Sequence, residues 1–403
     1  MMATPPHNNG QPLPDRGRSQ REALTLAERI ALFAQAIEVD FGAKIAEQRA
    51  PAAALYERIV GVDTSLGASD AALDDLDSVA RLSLSLRLCS AALSEYYLVL
   101  HARHTAIQPM YANLVSVIVA YHTHSDLESA ISLVEAEQAH ATTQFGQTDA
   151  RSLAALCDTA WVYAASGRVD EGLALARAGA ADAAPSLPPD DPDVLRSKVC
   201  LAVCLSQAGQ PDTATGICEQ VLAELRAHES APLDILITRL ALGLAQLAAG
   251  HLDAATAACE PAAAELYRLV RRAGMPEGAQ QLAIPAACLR RYCGLHADAL
   301  SGPPRRELTG SLPIEELAGT EIEKLEDIER RVAVFVTEFG VEAFEIRVRN
   351  NLASCYQELG RPADAAAMYA AAATRSAAAY GPADDETLTL RAQQILAGWD
   401  AEA

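Results

Sequence analysis

Apolar residues in this chain recur at steps of three and four rather than two. Leu26, Ile30, Phe33 and Ile37 share one helix face, and no long stretch alternates apolar with polar residues as a half-buried strand does. The helical pattern is broken at regular intervals by one motif: a turn residue, usually glycine, followed five places later by a small residue. Gly167 (SGRVDEG), Gly209 (AGQPDTA), Gly250 (AGHLDAA), Gly294 (CGLHADA) and Gly360 (LGRPADA) fit it, and Ser125 (HSDLESA) takes the turn position earlier in the chain. Glycine can adopt φ > 0 and end a helix. The small residue (Ala130, Gly172, Ala214, Ala255, Ala299, Ala365) lets the next helix pack closely. Asp170, Asp212 and Asp253, three after the turn, are placed to cap free N–H groups of that second helix. Phe145-Gly146, Phe339-Gly340 and Tyr380-Gly381 mark repeat ends.

The first five turns lie 41 to 44 residues apart, and the final gap is longer. The Gly- and Pro-rich stretch 301–317 supplies most of the excess and reads as a loop. A fixed period of this length predicts an all-α, right-handed α-α superhelix: a solenoid of antiparallel helix pairs with a period of about 42 residues. The expected organisation is a disordered tail (1–22), an N-terminal helical cap or degenerate repeats (23–104), helix pairs (105–300), a loop insertion (301–320), and C-terminal helix pairs with a capping helix (321–403).

Arg349 to Tyr369, RNNLASCYQELGRPADAAAMY, resembles a tetratricopeptide repeat of the kinesin-light-chain-like subtype. Leu352, Ala353, Tyr356, Ala365 and Tyr369 fall on its signature. The resemblance is closest over 341–382 and extends through 150–260. Kinesin light chains also carry a long heptad segment ahead of their repeats, whereas 23–60 is too short and irregular for one. The resemblance implies a non-catalytic scaffold or adaptor that receives a partner segment in a concave groove lined by the first helix of each pair. Aligned on the turn glycine, one groove position holds Val119, Trp161, Val203, Leu244, Cys288 and Ser354. A second, four residues earlier, holds Val115, Cys157, Val199, Leu240, Ile284 and Asn350. Asn350 and Asn351 resemble asparagines that clamp a bound peptide backbone, and Arg347, one turn away, would meet an acidic ligand group. The expected partner-binding set is therefore Trp161, Val203, Leu244, Arg347, Asn350, Asn351 and Ser354.

Composition narrows the partner. The 403 residues carry a net charge of −21, and the only lysines are Lys44, Lys198 and Lys324. No basic footprint for nucleic acid is present. The most apolar stretch, Leu82 to Leu100, is interrupted by Arg87 and Glu95, so no membrane span is expected. The nine cysteines form no CxxC pair and read as small hydrophobes in a reducing, cytoplasmic setting. His101, His104, His122 and His124 lack the spacing of a metal site, and the acidic runs 74–75, 190–191 and 384–386 read as solvated helix starts. Phosphate-loop, HExxH, GxSxG and dinucleotide motifs are missing. The sequence thus points to a protein or peptide partner, no enzyme activity, no cofactor and no metal. The alternatives are a peptide-sensing regulator and a structural subunit of a large assembly, such as a cytoskeletal or ciliary one, docking through 301–317.

Overall fold

Four of the turn glycines sit where the repeat places them. The structure, a computed structural model of the chain, describes residues 28, 29, 32, 49–61, 76–104, 127–227, 231–273, 279–301 and 321–402. In it Gly167, Gly209, Gly250 and Gly360 have φ of 90°, 75°, 82° and 69°. At each, the next residue donates its backbone N–H to the carbonyl five residues back: Arg168 to Tyr163, Gln210 to Leu205, His251 to Gln246, Arg361 to Tyr356, at 2.8–2.9 Å. This closure satisfies carbonyls that the helix end leaves free. The second helix starts at once. The small residue (Gly172, Ala214, Ala255, Ala365) donates its N–H to the carbonyl of that same post-glycine residue.

The helices in chain order are α1 (Arg49–Val60), α2 (Ser78–His104) and α3 (Leu127–Phe145), then the hairpins α4 (Ala150–Ala165) with α5 (Val169–Ser186), α6 (Pro192–Gln207) with α7 (Pro211–Ala227), and α8 (Pro232–Ala248) with α9 (Leu252–Arg268). A short 3-10 turn (Ala279–Leu282) leads into α10 (Ala283–Ser301). There follow α11 (Glu321–Glu358), broken at Gly340, then α12 (Pro362–Tyr380) and α13 (Asp385–Glu402). No strand occurs among the described residues. The fold is an all-α solenoid of helix hairpins.

The aromatic–glycine pairs also end or break helices, with φ of 88°, 92° and 106° at Gly146, Gly340 and Gly381. The capping aspartates are not the expected ones. Asp149, Asp191 and Asp384 accept the N–H of Arg151, Asp193 and Glu386 and so cap the first helix of a pair or, at Asp384, the final helix. Asp170, Asp212 and Asp253 lie inside the first turn of α5, α7 and α9, where a carboxylate complements the helix dipole instead.

Two expectations about organisation are corrected. Gly294 makes no turn, because α10 runs straight through it. The buried stripe Ala286, Leu289, Cys293 and Ala297 continues past it, and a Cβ on Gly294 would lie 3.9 Å from Ser90 Oγ of α2. Packing against α2 outweighs the roughly 1 kcal/mol that glycine costs inside a helix. The second correction concerns 78–104, which does not cap the first repeat. Its helix α2 packs on α9, on α10 and on α13. Leu82, Leu86, Leu93 and Tyr96 are all 0 % exposed there. Ser83 Oγ donates to the Ala297 carbonyl of α10 at 3.1 Å, and Cys89 Sγ to the Cys259 carbonyl of α9 at 3.4 Å. The expected tail at 1–22 and the loop at 302–320 lie outside the described residues.

The helix α1 is likewise built into the repeats. In the first hairpin, Arg168 stacks over the Tyr163 ring at 3.7 Å and pairs with Glu171, while Tyr163 OH donates to Glu135 of α3. In the last, Arg361 stacks over Tyr356 at 4.4 Å and pairs with Asp364, while Tyr356 OH donates to Glu57 of α1. The same network recurs residue for residue, so α1 stands against α11 as α3 stands against α4. Ala52 and Ala130, each five residues before that glutamate, are both fully buried. Thus α1 stands where the second helix of a preceding pair stands, and Arg29, ahead of it in the chain, pairs with Glu345 of α11.

Among the described residues two large apolar cores result, beside a small cluster of Leu153, Ala183 and Val194. One joins α2 to α3–α10; the other joins α1, α11 and α12. The last helix, α13, gives Leu388 and Ala392 to the first and Leu390 and Ala397 to the second. Among the described glycines the closest approach to backbone is at Gly172, where a Cβ would sit 2.8 Å from the Ala160 carbonyl oxygen and 2.9 Å from the Ala164 nitrogen. Backbone cannot step aside as a side chain can. Gly172→Ala is therefore expected to cost about 1–3 kcal/mol in urea unfolding, although alanine fills the equivalent position in the other hairpins.

Candidate functional site

The face that the repeat register assigns to partner binding is covered. Trp161, Val203 and Leu244 lie on α4, α6 and α8, and Cys288 lies on α10; all are at most 3 % exposed. The covering element is α10, which packs on both α4 and α8 and brings Tyr292 beside Cys200 and Cys204 of α6. Trp161, Val203 and Leu244 are therefore core residues and not an open contact surface. The physical reason is that an apolar concave stripe of this extent is buried by the nearest apolar helix, and α10 belongs to the same chain. Val115 and Val119 lie outside the described residues.

The other expected residues, Arg347, Asn350, Asn351 and Ser354, are half-buried on α11, beside the second core. Asn351 donates its amide to Tyr56 OH of α1 at 3.4 Å, so the side chain read as a peptide clamp holds the chain's own helix. Ser354 Oγ donates to the Asn350 carbonyl at 3.1 Å and meets Tyr369 OH at 3.3 Å. Burial raises the Glu386 carboxyl of α13, and the nearby Arg347 charge partly opposes that shift. The seven residues thus fall into two groups, three inside the first core and four half-buried on α11.

What α10 leaves open is a pocket of about 550 Å³ between α3, α4, α6, α8 and its own start. Its walls come from the first helices α4, α6 and α8, which the solenoid sets side by side, with α3 and α7 contributing. Trp161, Leu195, Val199, Ile237, Leu282 and Pro285 make it apolar. Among these stand four carboxylates: Glu137, Asp158, Asp193 and Asp234. Arg196 serves two of them. Its Nη1 donates to Asp193 at 2.9 Å and to the Gln281 amide oxygen at 2.6 Å, and its Nε donates to Asp234 at 3.1 Å. At the rim, Arg151 lies 3.5 Å over the Phe145 ring. It forms a two-point pair with Asp149, whose carboxyl that partner holds at about 2.

Glu137 and Asp158 enter no hydrogen bond or ion pair among the described residues. Burial pushes the Asp158 carboxyl well above the usual carboxylate range, with the nearby Glu137 charge adding to it. Desolvation by the pocket walls also raises Asp193 and, although its side chain still reaches solvent, Glu137. On α2, the Tyr96 hydroxyl is pushed far up by burial, with the Asp234 charge adding and Arg196 opposing. An unpaired carboxylate in such a setting is costly to keep, and perturbed groups in a concave site mark candidate function. Sequence reasoning missed Asp158. The available signal was a single carboxylate inside the apolar run LAALCDTAWVYAA, between Cys157 and Trp161.

Among the described residues, no group of three or more His, Cys, Asp or Glu is placed to hold a metal ion. No described helix is long and apolar enough to cross a membrane. The nine cysteines are free and buried. Burial pushes the thiols of Cys89 and Cys200 well up, and that of Cys218 to about 12. They are packed thiols rather than reactive thiolates.

No family model matches the sequence, and no curated protein matches it. Among solved structures the chain is similar to two crystal structures from Podosopora anserina, one of them a point variant, described as a kinesin light chain with nearly identical TPR-like repeats. Both are 17% identical, at a TM-score of 0.30 over 72% of this chain and 97% and 98% of theirs.

Proposed function

We propose that this chain is a non-catalytic protein-interaction module that holds a segment of a partner protein in the pocket between α3, α4, α6, α8 and α10. The pocket itself carries the reading. It is concave, partly apolar, furnished with a few polar groups, and built on helices that the solenoid fixes in place. Its volume of about 550 Å³ falls in the range of sites that enclose a small ligand. A long segment lying along the concave face does not fit this reading, since α10 already lies there. The partner would insert a side chain and its neighbours. The modest volume also favours a second version, in which a short free peptide is sensed. The nine buried thiols suit a reducing, cytoplasmic setting. Docking through 301–317 in a large assembly rests on residues outside those described.

Ala154→Trp tests the reading, because Ala154 is exposed on the pocket wall and a bulky side chain there closes the mouth without entering the core. Affinity capture with wild type and Ala154→Trp is expected to return a partner held by the first and lost by the second, at equal melting temperature. A partner held equally by both moves the interface off the pocket.

A further inference from the structure

Building on that reading of the pocket, we infer that its ligand is cationic: the ammonium or guanidinium group of a lysine or arginine on the partner segment, seated against Asp158 and Glu137 beside Trp161. Charge complementarity decides the class. Of four lining carboxylates, Asp193 and Asp234 already have Arg196 as partner. Arg151 is engaged by Asp149. The two carboxylates left without a partner are the ones a ligand can satisfy, and each gains most from a cation, which stabilises its ionised form. The apolar wall formed by Trp161, Val199 and Ile237 suits the methylene stem of a long basic side chain, which packs its carbons and presents its charge. An aromatic ring nearby adds attraction for a cation.

The groups facing Asp158 are Glu137 and His140 from α3, Arg151 from α4 itself, Asp193 and Arg196 from α6, and Asp234 from α8. Burial keeps a proton on Asp158 above the ordinary carboxylate range when the pocket is empty. An arriving cation stabilises the ionised form, so binding releases that proton and the affinity rises with pH until Asp158 is ionised in the empty pocket as well. Added salt weakens it.

The full chain carrying Trp399→Phe leaves Trp161 as its only tryptophan, and its emission reports on the pocket. Titration with capped alanyl-lysyl-alanine is expected to shift that emission saturably, while the same peptide with ε-acetylated lysine does not. Asp158→Asn, an isosteric change, and Glu137→Gln, at an exposed position, should each weaken binding by about tenfold or more, the effect of losing a charge-assisted contact. Equal binding of the acetylated peptide, or unchanged affinity in both variants, would overturn the inference. Free n-butylamine binding as tightly as the peptide would keep the cationic chemistry and overturn a partner segment as its source. If Ala154→Trp abolishes partner capture while no cationic probe binds, the ligand class falls and the interaction reading stands.

Discussion

Trp161→Ala is expected to lower folding stability by about 3–5 kcal/mol, the range for removing a large buried aromatic. Trp161 is 2 % exposed and ranks among the largest fully buried side chains of the chain. Its ring belongs to the core shared by α4, α6, α8 and α10, and the surrounding helices are too regular to collapse into the space it leaves. Urea unfolding of wild type and variant measures the loss directly. The consequence for function is practical. A partner lost by this variant reports on folding as much as on binding, which is why the pocket is better probed at Ala154, Asp158 and Glu137. A cost below about 1 kcal/mol would place Trp161 on an open surface, as the aligned repeat register expects.

A chain that begins at residue 105 is expected to lose cooperative folding and to aggregate. It lacks α2, whose Leu82, Leu86, Leu93 and Tyr96 are wholly buried against α9, α10 and α13. Each side chain of that size contributes about 1.5–3 kcal/mol on burial, and together they reach the scale of a domain's whole stability, about 5–15 kcal/mol. The truncation also removes α1, which supplies Tyr56 and Glu57 to α11. A milder form is Leu93→Ala, expected to cost about 2–5 kcal/mol. A truncated chain with an intact, sharp unfolding transition would make the N-terminal block an appended cap.

What the sequence displayed was local. Gly167, Gly209, Gly250 and Gly360 could be placed because a positive-φ closure and the small residue five places on lie within a few residues of each other. The same motif misled at Gly294, since whether a helix stops there depends on α2, some 200 residues earlier in the chain. Trp161, Val203 and Leu244 lie in the core that α10 covers. Which helix covers them is a tertiary matter, and nothing in the register marks α10 for that place. Asn351 looked like a clamp for a foreign backbone because an exposed amide and one bonded to Tyr56 read alike in sequence. Asp158 stood in plain view in an apolar run, but its isolation became meaningful only once Arg196 was seen to be engaged by Asp193 and Asp234.

The central claim is that the chain closes its own concave face, with α2 and α10 inside the core of the array, and leaves the acidic pocket as the opening. Amide hydrogen exchange of the full chain tests it most directly, because helices that belong to one core open together with the global unfolding free energy. The account predicts that 78–104 and 283–301 exchange as slowly as 192–268 and lose protection at the same urea concentration. Exchange of 283–301 at low urea, with 150–268 still protected, would mean that the groove is vacant for much of the time and would contradict it.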